Sequence, residues 1–203
     1  MAFTYFFRDL QTIELIRDHA LPVLRTYQRV SIWDAGCAMG PEPYTLAIVL
    51  RENMGYMFFR NIIIYATDLD NSNLFGPIIK NAIYPRVEVE RIPPEILAKY
   101  FTPQNGGEAY QISEEMRSAL RFQQHDLLTL KPIGQDFGLI LCKNVLLHFN
   151  EEHRIKVMRM FHDALRPGGF FATEQTQKLP KEMEHLFEPV VSQAQRFRKR
   201  DQP

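Results

Sequence analysis

Residues Ser31 to Ala47 read S-I-W-D-A-G-C-A-M-G-P-E-P-Y-T-L-A, and no other stretch limits the fold of this chain as much. Val30, Ile32 and Trp33 are strand formers. Asp34 to Gly40 is a turn of small residues containing two glycines, Gly36 and Gly40. Pro41 and Glu42 then open a helix that continues through Leu46 and Leu50, proline being well suited to a first helical turn. Strand, glycine turn and helix together form the corner on which α/β proteins bind cofactors. Glycine lets the backbone pass close to a ligand, and the helix start offers unpaired N–H groups.

The ligand of this corner is not expected to be a dinucleotide. The G-x-G-x-x-G fingerprint is absent, and a pyrophosphate favours a helix start of positive character. Glu42 places a negative charge in that first turn. It would repel phosphate and attract an ammonium or a sulfonium, both of which S-adenosylmethionine carries. A second reading stays open, in which Glu42 only complements the helix dipole.

Two further stretches extend the α/β pattern. Asn61 to Asp70 reads N-I-I-I-Y-A-T-D-L-D, and Ile62 to Tyr65 is a short apolar run of the kind found in buried parallel strands. Asp68 stands at its end, where nucleotide-binding α/β folds hold ribose hydroxyls with a carboxylate. It lies about thirty residues past Gly36 rather than the usual ~20, so the first helix or its loop must be long. Asp70 competes for the same role, with N-cap of the next helix as its alternative. Further on, Phe137 to Cys142 reads as another buried strand, broken by Lys143 and Asn144. Asn150 then caps a helix carrying Ile155, Val157, Met158, Phe161 and Leu165. Arg166 to Gly169 should end that helix, and Phe170 to Glu174 should form the following strand.

Composition fits a single α/β domain over 1–203: 45% hydrophobic and 24% charged residues leave enough apolar material for a core. Net charge is zero, so no nucleic-acid surface is expected. No apolar run approaches the ~20 residues of a membrane span, and neither membrane insertion nor a signal peptide is expected. Two cysteines make no disulfide framework, and the chain reads as cytoplasmic. The six histidines are scattered, and no Ser/His/Asp set, paired carboxylates or metal cluster is visible. Asn105-Gly106-Gly107 followed by Tyr110 to Ile112 signals a hairpin, so a small inserted β-subdomain around 85–120 is one reading and a plain surface excursion the other. The basic cluster Arg196, Arg198, Lys199 and Arg200 reads as a last strand with a solvated tail rather than a binding patch.

Four motifs, in order, give the chain a family likeness: F-T-Y-F-F-R-D from Phe3, A-G-C-A-M-G-P-E-P-Y from Ala35, A-T-D-L-D from Ala66 and C-K-N-V-L-L-H-F from Cys142. With Tyr84, His125-Asp126-Leu127-Leu128 and Pro167-Gly168-Gly169, they make the sequence resemble the CheR-type chemotaxis receptor methyltransferases over essentially its whole length. The resemblance implies a class I S-adenosylmethionine-dependent methyltransferase fold. This is a Rossmann-like, seven-stranded, mostly parallel sheet with helices on both faces and a small β-subdomain, which in some members docks a receptor tail peptide. It implies S-adenosylmethionine as cofactor, methyl transfer to glutamate carboxylates, and as partner the cytoplasmic domain of a methyl-accepting chemoreceptor, with the enzyme a monomer.

Roles follow from the matched motifs. Thr4 and Arg8 line the mouth shared by cofactor and substrate, Arg8 gripping a carboxylate through its fork or, alternatively, pairing with Asp9. Gly36, Cys37 and Glu42 belong to the cofactor turn, with Glu42 on the cofactor's amino-acid end. Asp68 takes the ribose, Asp126 and Leu127 the adenine, and Lys143 and Asn144 end a strand beside the cofactor. Tyr84 lines the substrate side, and Phe6 and Phe7 pack. Cys37 and Cys142 would lie near the crevice, with small apolar packing as their expected role. Against the family pattern, Pro41 replaces a glutamate, Lys143 an arginine, His148 a tyrosine, and Ala82-Ile83 a glycine-containing turn. His148 either makes the acceptor pocket sensitive to pH or packs as a neutral replacement. Family members also carry a basic helical domain ahead of T-x-F-F-R. This chain begins three residues before Thr4, which leaves either a trimmed sequence or a natural protein without that domain.

Overall fold

The computed structural model describes residues 4–174, 178–190 and 196–200. Its frame is a seven-stranded sheet in the order β6-β2-β1-β7-β8-β10-β9. The strands are β1 (Val30–Ala35), β2 (Ile62–Asp68), β6 (Leu120–Gln124), β7 (Phe137–Cys142), β8 (Leu165–Thr173), β9 (Phe187–Pro189) and β10 (Arg196–Lys199). β6, β2, β1, β7 and β8 run parallel, and β10 lies antiparallel between β8 and β9. A second sheet, antiparallel and in the order β3-β5-β4, is built from β3 (Ile83–Pro85), β4 (Phe101–Gln104) and β5 (Ala109–Ile112). The small β-subdomain is therefore present. Asn105-Gly106-Gly107 makes the β4–β5 turn, and Gly106 and Gly107 both sit at positive φ there.

Alternation along the central strands sorts side chains into two cores. Ile32, Leu139 and Leu141 face helix Pro41–Met54 and the N-terminal helical segment. Trp33, Ala35, Ile140 and Cys142 face helix Glu151–Ala164 through Phe161 and Val157. Helices thus cover both faces, which is why these strands read as continuous apolar runs. Trp33 is fully buried, and its indole N–H donates to Thr67 Oγ1 at 2.8 Å, so its one polar atom is satisfied. Among the described residues no helix is long and apolar enough to cross a membrane.

Several boundaries differ from expectation. Asp34 and Ala35 belong to β1 and not to the turn. Helix Glu151–Ala164 is capped by Asn150, whose Oδ1 accepts from the His153 amide at 2.8 Å. It stops before Leu165, which starts β8, and Arg166 to Gly169 are strand residues rather than a helix stop. Gly168 at φ 67° lets the chain bulge there, and the β7–β8 register slips between Phe137 and Leu139. The strand thus absorbs Pro-Gly-Gly as an irregularity instead of ending at it. The basic cluster does form a last strand, yet Arg196 is buried at 4% exposure and not solvated. Residues 191–195, which precede this strand, lie outside the described residues.

Candidate functional site

The chain order reverses at β1: from there it proceeds outward to β2 and β6, then returns to the other side for β7 and β8. A crevice opens at such a point, beyond the carboxyl ends of the strands. Here it is a cleft of about 600 Å³, well within the range of small-molecule sites.

The turn after β1 forms its floor. Gly36 and Cys37 donate their amides to the Thr67 carbonyl at 2.7 and 3.0 Å, tying the turn to the end of β2. Gly36 sits at φ 103°, and a Cβ there would lie 2.1 Å from Val145 Cγ2. The turn therefore requires glycine for both conformation and space. Asp68 Oδ2 accepts from the Ala38 amide at 2.9 Å, so this carboxylate braces the turn as well as facing the cleft. Asp70, its competitor, is 4% exposed and accepts from the amides of Leu74 and Phe75 at 3.1 and 3.0 Å. It serves the start of helix Phe75–Asn81.

A chain of charges crosses the floor. Glu42, in the first turn of helix Pro41–Met54, accepts from Lys143 Nζ at 2.8 Å, and the Lys143 side chain is only 1% exposed. Asp9 lies 3.8 Å from the same ammonium and 3.6 Å from Arg8 Nε. The ion pair expected as the alternative for Arg8 is thus formed, while Arg8 also lines the cleft. Burial pushes the Glu42 carboxyl up from its usual range, against the opposing pull of Lys143. Burial also drives the Cys37 and Cys142 thiols well up, so both remain protonated packing groups rather than nucleophiles.

Asp126 and Leu127 form the far wall. Asp126 Oδ1 accepts from the Leu128 amide at 2.8 Å, fixing a short helical turn whose first residue is Leu127. Lys143 and Asn144 leave β7 at the opposite wall, where the Asn144 amide donates to Glu174 Oε2 at 2.9 Å. Thr4 and His148 stand at the mouth, His148 exposed. The sequence-predicted residues thus meet on one cleft, with one correction. Tyr84 does not line it. It is 1% exposed, packed edge-on against Phe6 at 4.9 Å, and its hydroxyl donates to the Met39 carbonyl at 2.8 Å. The aromatic core between β3 and the turn takes up the side chain, so Tyr84 supports the glycine turn from behind.

Sequence reasoning missed several wall residues. Leu69, Leu128, Leu147 and Phe149 give the cleft its apolar sides. It also missed Asp34, fully buried beneath Glu42. The signal was there: an acid interrupting an apolar strand at a position whose alternate neighbour, Ile32, faces the core.

These features fit S-adenosylmethionine. Three carboxylates, Glu42, Asp68 and Asp126, face a cleft with apolar sides, and its basic residues Arg8 and Lys143 are already paired with Asp9 and Glu42. Such a donor set suits an ammonium, two hydroxyls and an exocyclic amine rather than phosphates.

Comparison with known proteins agrees. The family model described as "CheR methyltransferase, SAM binding domain" matches residues 2–196. A probable chemotaxis protein methyltransferase of Rhizobium etli is 28% identical over 93% of this chain and 72% of its own length. The chemotaxis protein methyltransferase of Listeria innocua is 34% identical over 81% of this chain and 60% of its own, and chemotaxis protein methyltransferase 1 of Pseudomonas aeruginosa 31% over 87% and 67%. The chain thus spans about 60–72% of these relatives. Among solved structures, the rRNA methyltransferase aviRa of Streptomyces viridochromogenes superposes with a TM-score of 0.58 at 13% identity, covering 97% of this chain and 85% of that one. That likeness is one of fold.

Proposed function

Because this chain belongs to the family of CheR methyltransferase SAM-binding domains, we propose that it transfers a methyl group from S-adenosylmethionine to glutamate carboxylates on the cytoplasmic domain of a methyl-accepting chemoreceptor, acting as a cytoplasmic monomer. The observation that carries this reading is the cleft at the β1/β7 switch, with Glu42, Asp68 and Asp126 on its wall. Glu42 would hold the cofactor's ammonium, Asp68 its ribose and Asp126 its adenine edge.

The bound cofactor supplies an electrophilic methyl group on a sulfonium. The acceptor needs little activation, because a glutamate side chain with a reference pKa near 4.3 is already ionised at pH 7. What remains for the protein is to strip water from that carboxylate, orient it and hold it. Arg8 at the mouth offers a planar fork for a carboxylate. His148, on the same rim, can add a hydrogen bond or, when protonated, a second positive charge. Leu69, Leu128 and Leu147 keep the surroundings apolar, which favours an anion and a sulfonium reacting to neutral products.

Calorimetric titration with S-adenosylmethionine is the first test, together with methylation of a chemoreceptor cytoplasmic fragment. Glu42→Ala and Asp68→Ala should each weaken cofactor binding at least tenfold, about 1.4 kcal/mol. The product should release methanol at high pH, as a carboxyl methyl ester does and an N-methyl group does not. Binding without transfer would leave a cofactor-binding module. Base-stable product would move the acceptor to another residue class.

A further inference from the structure

Asp34 lies buried beneath the cleft, next to Glu42, and the proposed chemistry gives it no task. It is the penultimate residue of β1, beside Ala66 of β2 and Leu141 of β7, and it is 0% exposed. Neither carboxyl oxygen receives a hydrogen bond from any described backbone or side-chain donor. An isolated buried carboxylate is strongly disfavoured. The Glu42 carboxyl is its polar neighbour, and two carboxyl groups can hydrogen-bond only when one of them keeps a proton. Lys143 Nζ, 2.8 Å from Glu42 Oε2, marks Glu42 as the ionised member. Asp34 is therefore the acid.

The other charged groups around the pair are accounted for. From β2, Asp68 adds negative potential at Asp34 but spends Oδ2 on the Ala38 amide. From the N-terminal segment, Asp9 approaches Lys143 and is itself paired with Arg8. Cys37 on the turn and Cys142 on β7 flank the pair as neutral thiols. Beyond Cys142, Glu174 is held by the Asn144 amide and the Thr173 hydroxyl. As it stands the inner floor is electrically balanced: one acid, one carboxylate and one ammonium.

We propose that Asp34 is a positioning residue that shares its proton with Glu42, and that the ammonium of the cofactor's amino-acid end displaces this proton on binding, so that the cleft exchanges one cation for another. The inference rests on S-adenosylmethionine as the ligand. The carboxyl O–H bond of Asp34 breaks and the proton passes to solvent. Asp34 and Glu42 are then both carboxylates, balanced by Lys143 and the incoming ammonium. A ligand lacking the amino-acid end leaves the proton in place.

The test is titration calorimetry of the full chain at pH 7 in two buffers of different ionisation enthalpy. S-adenosylmethionine should bind with a heat that shifts with the buffer by the equivalent of half to one proton released. Methylthioadenosine, which lacks the amino-acid end, should bind with a heat that does not shift. Asp34→Asn should abolish the shift for S-adenosylmethionine and weaken its binding about tenfold. A wild-type measurement independent of that variant is the affinity between pH 6 and 7, which should rise five- to tenfold. Binding with buffer-independent heat and pH-independent affinity overturns the inference and leaves the cofactor site standing. An equal shift in Asp34→Asn, or with methylthioadenosine, overturns it too. Absence of binding by S-adenosylmethionine overturns the inference together with the cofactor assignment.

Discussion

At position 36 an alanine would bring its Cβ to 2.1 Å from Val145 Cγ2, on a backbone at φ 103°. Neither fault can be relieved without moving the turn or the segment after β7. Gly36→Ala should cost about 2–4 kcal/mol of stability and abolish cofactor binding, read by thermal unfolding and calorimetry. Tyr84→Phe is a milder probe of the same turn. It removes only the hydroxyl that holds the Met39 carbonyl, so it should cost about 1 kcal/mol. If Tyr84 touched the methyl acceptor instead, the variant would lose transfer rate at unchanged stability. Glu42, Asp68 and the two glycines were legible because small residues and acids at the ends of apolar runs have few other uses. Asp34 was legible only in part: it interrupts an apolar strand, yet a single acid next to a glycine turn reads as part of the turn. Its meaning depends on Glu42, just across the turn at the start of the next helix, and on Lys143, which is remote in sequence and brought to it by the β1–β7 pairing.

At the scale of elements, caps and strand periods were readable and interruptions were not. Asn150 accepts from the His153 amide as its position before an amphipathic run predicts. Asn150→Ala should lower the unfolding free energy by about 1 kcal/mol without changing cofactor affinity, since the cap lies outside the cleft wall. Arg166-Pro167-Gly168-Gly169 misled because the same residues serve a helix stop and a bulged strand. What decides is whether a neighbouring strand is there to pair with, and β7 is, with Leu165 already in register with Phe137. Tyr84 misled for a related reason: its place in a motif says nothing of which way the side chain turns, and the gap between Phe6 and Tyr44 took it inward.

For the molecule as a whole, the buried acid sets a pH dependence. Burial and the neighbouring Glu42 raise the Asp34 carboxyl well above its ordinary value in the folded state, while unfolding returns it to about 3.9. Between those two values the folded chain holds a proton that the unfolded chain has lost. Stability from this group is complete below about pH 3.9 and falls by about 1.4 kcal/mol per pH unit as pH rises, until the folded pKa is passed. His125 and His162 act in the opposite sense. Burial lowers both, so their contribution is intact above about pH 6.5 and is lost as pH falls. Asp34→Asn should therefore melt higher than the parent at neutral pH, with a margin that shrinks toward pH 4. Paired melting curves across pH 4–8 check this, and a constant margin would contradict it.

The Tyr84 hydroxyl has one more consequence. It begins on β3, in the small sheet, and ends on Met39, in the turn beneath the cleft. The two sheets thus share a pin, and the small one cannot be indifferent to what fills the large one. A ligand that quiets the turn also damps the fluctuations of β3 and, through its ladder, of β5 and β4. Amide exchange at Ile83 and Tyr84 and in Ala109–Ile112 should slow when the cofactor binds, although neither strand touches the cleft, and Tyr84→Phe should uncouple them. News of occupancy would then be written on a surface that no cofactor atom reaches.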